Sequence, residues 1–195
     1  MKRGLVEIVC IIDRSGSMSV LVNDAIGGFN SFLADQKKQP GEAYLTFIQF
    51  DNEYEVVHEN KPIKDVPALT ADTYRPRGST ALLDAIGKTI DDVGRRLTNT
   101  PDDKKPEKVI VVILTDGEEN ASHIFKRGEI KEKIKHQEEK YSWTFLYLGA
   151  NQDAFAEASS MGICACNTAT YPTTSKGITD VYGTISCSVT NLRSF

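Results

Sequence analysis

The run Lys108–Leu114 (KVIVVIL) is apolar at every position after its lysine. A strand with one wet face alternates polar and apolar residues, and this one does not. Both of its faces must therefore be covered, as in a central parallel strand with helices on either side. The segments around it supply those layers. Leu5–Ile12, Ala43–Phe50, Tyr54–His58, Ser142–Leu148 and Gly162–Cys166 read as strands. Asp51-Asn52-Glu53 joins the second and third as a hairpin. Asn23–Lys38, Thr80–Leu97, Glu129–Lys140, Gln152–Ser160 and Thr174–Leu192 read as helices. The strongest is Thr80–Leu97, with Leu82, Ile86, Ile90, Val93 and Leu97 on one face. Ile63–Arg77 is irregular, broken by Pro67 and Pro76 and preceded by Pro62.

Alternating strands and helices predict a doubly wound α/β fold. Its sheet is mostly parallel, with one antiparallel edge strand and helices on both faces. The 195 residues suit one domain, 1–195. A chain of that length buries roughly 70% of its unfolded surface and needs no staple.

Charge and composition exclude several functions. The net charge of −4 argues against nucleic acid, which needs a clustered basic face. The basic stretches Lys126–Lys135 and Lys104–Lys108 are interleaved with acids, as on a solvated surface. Leu5–Ile12 is too short to span a bilayer, contains Glu7 and lacks a cleavage site. No membrane insertion is expected, and the absence of an export signal points to the cytoplasm. Cys10, Cys164, Cys166 and Cys187 read as small buried hydrophobes. Cys164 and Cys166 share one face of the last expected strand, with no second pair to complete a zinc set.

In an open α/β sheet, ligands sit beyond the carboxyl ends of the strands. Three loops there carry hard oxygen donors. Strand one runs into Asp13-Arg14-Ser15-Gly16-Ser17, the central strand into Thr115-Asp116-Gly117, and Arg77-Gly78-Ser79-Thr80 enters the strongest helix. Any one of these loops would serve equally to cap a helix. Together, Asp13, Ser15, Ser17, Thr80 and Asp116 offer two carboxylates and three hydroxyls. Such an all-oxygen set suits Mg2+, with Mn2+ or Ca2+ as further candidates. Arg14 and Arg77 flank the donors, either to steer an acidic partner or to pair with Glu118, Glu119 or Asp84. Asn120 suits a turn.

Asp13-x-Ser15-x-Ser17 after the first strand, Thr80 in GSTALLDAI and Asp116 in ILTDGEEN resemble the von Willebrand factor A domain. Their order matches its metal-ion-dependent adhesion site, or MIDAS, and the likeness spans essentially the whole chain. Ser79 stands where that family more often has Gly. The resemblance implies a Rossmann-like fold of the solitary bacterial or phage type. It also implies Asp13, Ser15, Ser17, Thr80 and Asp116 as the metal shell, with Asp13 or Asp116 acting directly or through water. The implied function is non-enzymatic protein binding, in which an acidic residue of a partner completes the coordination. Two other readings use the same residues. One is a metal-dependent phosphohydrolase, but an enzyme of the haloacid-dehalogenase type needs a second carboxylate two residues after its nucleophile, where Ser15 stands, and a lysine to balance phosphate charge is missing from these loops. A scaffold would keep the metal for stability alone. His58, His123 and His136 lie outside all three loops, and no phosphate-binding or dinucleotide-binding glycine motif occurs.

Overall fold

The computed structural model describes residues 1–150 and 153–194. Six strands form one sheet: β1 (Lys2–Asp13), β2 (Glu42–Phe50), β3 (Tyr54–Pro62), β4 (Pro106–Thr115), β5 (Thr144–Gly149) and β6 (Thr168–Thr170). Their spatial order is β3-β2-β1-β4-β5-β6. Only β3 runs antiparallel, against β2; the other pairings are parallel. The helices are α1 (Val22–Lys38), α2 (Leu82–Asn99), α3 (Arg127–Tyr141), α4 (Ala154–Ser160) and α5 (Ser175–Arg193). Among the described residues, no helix is long and apolar enough to cross a membrane.

The alternation of β1 explains the two layers. Val6, Ile8, Cys10 and Ile12 face one core with Phe29 and Phe32 of α1 and Ile178, Ile185 and Val189 of α5. Val9 and Ile11 face the other, with Ile86 and Ile90 of α2 and Ile130 and Ile134 of α3. In β4 both residue sets are buried, which accounts for its unbroken apolar run. Glu7 is the exception on β1. It is 1% exposed, accepts a hydrogen bond from Thr46 Oγ1 at 2.7 Å, and pairs with Arg96 of α2.

Gly162–Cys166 is not a strand. Gly162 has φ +84°, and Ile163 N donates back to the Ala158 carbonyl at 2.9 Å. That is a glycine-terminated helix end, sealed by the burial of Ile163. The glycine closes α4 instead of opening a strand, and the sixth strand follows as the short polar Thr168–Thr170. The helix expected over Gln152–Ser160 runs from Ala154; Gln152 lies outside the described residues. The cysteine reading is corrected with it. Cys164 and Cys166 are exposed and bonded to each other, Cys187 is exposed on α5, and only Cys10 is buried.

Candidate metal centre

The strand order reverses direction between β1 and β4, so a crevice opens beyond their carboxyl ends. The pairing Ile12↔Leu114 places Asp13 beside Thr115. Thr115 Oγ1 donates to Asp13 Oδ2 at 2.6 Å, and Ser15 N donates to Asp13 Oδ1 at 2.6 Å. Ser17 Oγ donates to Asp116 Oδ1 at 2.6 Å. Since that uses its one proton, Ser15 Oγ is the donor in the 3.1 Å contact between the two serine hydroxyls. Ser15 sits where a helix cap would but makes no side-chain capping bond.

Gly117 shows where these groups converge. A β-carbon built on it would lie 2.8 Å from Thr80 Oγ1, 3.5 Å from Ser17 Oγ and 3.6 Å from Ser15 Oγ. Three hydroxyl oxygens from two loops thus surround one point beside Asp116, and only a glycine leaves it open. Asp116 joins this cradle of hydroxyls through Ser17, and Asp13 is tied to the loops of both by Ser15 N and Thr115 Oγ1. A small cation fits this donor set, and neither His nor Cys is among it.

The loop bearing Thr80 is fixed from three sides. Asp51, fully buried, accepts from Arg14 Nε at 3.0 Å and Arg77 Nε at 2.9 Å, while its carbonyl accepts from Ala81 N at 3.0 Å. Arg14 and Arg77 also pair with Glu55 and Glu53. Neither pairs with Glu118, Glu119 or Asp84, so these arginines brace the loops from behind. Gly78 has φ +66°, and a β-carbon there would overlap Asn52 Oδ1 at 1.9 Å; glycine is required. Asn120 Oδ1 accepts from Thr80 N at 3.0 Å.

Thr80 precedes α2 and does not belong to its first turn. The cap position falls to Ala81, whose methyl side chain offers no acceptor. The helix is capped from outside instead: Glu119 Oε2 accepts from Leu83 N at 2.9 Å and Ser122 Oγ from Asp84 N at 3.0 Å. Asp84 completes the exchange, accepting from the amides of His123, Ile124 and Phe125. Burial pushes its carboxyl up, but those three bonds outweigh it and hold the group below its ordinary value. His123 sits against this brace, its ring largely exposed, 3.6 Å from Asp84.

Structural neighbours place this architecture. Proximal thread matrix protein 1 from the mussel byssus superposes with a TM-score of 0.67 at 17% identity, over 97% of this chain and 46% of its own. Its form with a zinc-occupied MIDAS motif gives 0.64 at 13% identity, over 93% and 47%. A von Willebrand factor type A protein from Catenulispora acidiphila gives 0.58 at 14% identity, over 93% and 41%. The chain has a von Willebrand factor A fold. It spans less than half the length of these neighbours. No family model matches the sequence, and no curated protein does.

Within this von Willebrand factor A fold, several residues that shape the cradle carry no motif. Thr115 is betrayed only by its register opposite Asp13. Tyr74 and Tyr171 are buried and donate to the carbonyls of Asp13 at 2.6 Å and Thr115 at 3.1 Å, pinning both strand ends. The cradle is costly to charge. Burial pushes the Asp13 carboxyl up to about 6, against its hydrogen bonds to Thr115 and Ser15 and with help from nearby Asp116. Burial also raises Asp116.

Proposed function

We propose that this chain is a divalent-metal-dependent protein-binding module without catalytic turnover. Asp13, Ser15, Ser17, Thr80 and Asp116 hold the ion, and a carboxylate of a partner protein completes its coordination. The observation that carries this reading is the convergence of Thr80, Ser17 and Ser15 hydroxyls on the open point over Gly117. When bound, the ion supplies positive charge between two carboxylates and a position that a third can fill. Asp13 lies at the floor, and Ser17 and Asp116 at the more accessible rim. Oxygen donors favour Mg2+ or Mn2+; the zinc-occupied motif of the mussel protein adds zinc to the cations worth testing. The non-enzymatic reading rests on the chain's own groups. His123 points to Asp84 and not to the cradle, and Arg127, beside the cavity flanking Gly117, is held by Glu157 and Ser160.

Gly117→Ala tests the site without deleting a donor. Wild type should melt about 5–10 °C higher in saturating magnesium or manganese than in chelator, the effect of about 2.7 kcal/mol at a hundredfold excess over Kd. The variant should fold and lose that shift, because its methyl group occupies the cradle. A peptide-display selection on the manganese-loaded wild type should enrich Asp- or Glu-bearing sequences that let go in chelator. Sequences that bind equally well in chelator, or to Gly117→Ala, would remove the partner reading and leave at most a structural metal.

The metal response should also depend on pH. A cation needs Asp13 ionised, so protons compete with it below about pH 6. At a hundredfold excess of metal over Kd, the melting shift should be full at pH 7.5, shrink through pH 6 and fall to about half at pH 5. A constant shift across that range would mean that Asp13 is not a ligand.

A further inference from the structure

The turn between α4 and β6 is unused by the cradle and carries chemistry of its own. Cys164 and Cys166, Cα atoms 5.2 Å apart, are joined through sulfur on a surface where both residues are exposed. The turn is held independently of that bond. Ile163 is buried on one side and Tyr171 on the other. The Cys164 carbonyl accepts from Asn167 N at 2.9 Å and Thr168 Oγ1 at 3.0 Å. A cross-link spanning one intervening residue removes little freedom from the unfolded chain, because that stabilisation grows with loop length. Stability therefore gives a poor account of this bond. Exposed disulfides of this kind are the ones that exchange.

We infer that Cys164–Cys166 is a reversible thiol–disulfide exchange site whose substrates are accessible thiols. The two sulfurs are not equivalent. Cys166 N donates to Cys164 Sγ at 3.2 Å, so negative charge is better held on Cys164. An incoming thiolate attacks Cys166 Sγ and forms a mixed disulfide. The Cys164–Cys166 bond breaks, and its electron pair leaves on Cys164 Sγ, which takes up a proton. A second thiolate attacks the incoming sulfur, and Cys166 leaves as a thiolate and is protonated. In sum, two external thiols are oxidised to one disulfide and the protein gains two thiols.

Glutathione is the probe. The folded chain is equilibrated at fixed oxidised and varied reduced glutathione, quenched in acid, alkylated and weighed. Two of the four thiols should appear and vanish together, with the ratio of reduced to oxidised pair rising as the square of reduced glutathione. Cys164→Ser should leave Cys166 forming only a mixed disulfide, with first-power dependence. Cys187→Ser should keep the second-power pair and lose only a mixed disulfide, since the exposed Cys187 is outside the pair and reacts with glutathione singly. Four free thiols at every ratio, first-power dependence of Cys164 and Cys166 in wild type, or a bond that survives millimolar reduced glutathione would each overturn the assignment. So would loss of pairing in Cys187→Ser, which would make Cys187 a partner in the bond.

Discussion

Asp13→Asn is expected to raise the melting temperature of the metal-free protein while abolishing its response to magnesium or manganese. Both effects come from one carboxyl group. Asp13 is fully buried and burial lifts it to about 6 from an ordinary value of 3.8. A carboxyl raised in the folded state favours folding only while it stays protonated. Between about pH 4 and pH 6 the unfolded chain releases the proton and the folded chain keeps it, so stability declines as pH rises. Above pH 6 the folded chain carries the whole cost, about 3 kcal/mol. The amide that replaces the carboxylate bears no charge. Its oxygen still accepts from Ser15 N, and its nitrogen can donate to Thr115 Oγ1, which becomes the acceptor. A gain of about 1–3 kcal/mol follows in chelator at pH 7.5, a few degrees or more in Tm. The difference from wild type should vanish near pH 4 and be constant above pH 6. Thermal melts across pH, with and without metal, check each part. A variant less stable than wild type in chelator would mean that the charged carboxylate is already well compensated by its neighbours, and a retained metal shift would remove Asp13 from the ligand set.

The same residues show what a sequence can disclose. The β4 run is legible because burial on both faces leaves no polar position, so composition alone reports its place. The five cradle donors are legible because each lies one to five residues from an apolar strand end or just before a strong helix. What holds them is not. Asp51 reads as an ordinary hairpin residue, yet it gathers Arg14 and Arg77, 37 and 26 residues away. The exchange between the start of α2 and the segment 119–125 depends on partners about 40 residues apart, with no spacing rule to announce them. Asp84 reads as a partner for arginine and serves backbone amides instead. Tyr74 and Tyr171 act on carbonyls, which every residue has. The mistaken strand at Gly162–Cys166 has a related cause. Period-two alternation across five residues cannot be told from a helix end followed by a turn, and the deciding quantity is the positive φ of Gly162.

Arg96→Met, away from the cradle, should cost about 3 kcal/mol in urea unfolding at pH 7. Glu7 is 1% exposed in the middle of β1, between Tyr44 of β2 and Val109 of β4. Among the described residues its carboxylate has one cationic partner, Arg96, whose side chain is 20% exposed. Removing one half of a buried ion pair costs roughly 3–5 kcal/mol, because the other half is left charged in a poor solvent. The lower end applies here. A cavity of about 360 Å³, lined by Glu7, Arg96, Tyr44 and Asn60 among others, gives water a route to the stranded carboxylate. The two halves are not equivalent. Glu7→Gln leaves Arg96 with Glu59, 3.7 Å from its Nε, and the amide oxygen still accepts from Thr46 Oγ1. Its cost should be about 1 kcal/mol. The double variant Glu7→Gln/Arg96→Met should then recover much of the loss, giving a coupling of about 1–2 kcal/mol in the cycle. Equal costs for the two single variants would mean that Glu7 is as well solvated as Arg96. Additive costs would mean that the pair contributes packing and not charge. Neither variant touches the carboxyl ends of β1 and β4, so the metal response of both should match wild type. Destabilisation without loss of that response would separate the forces that hold this fold from those that arm its cradle.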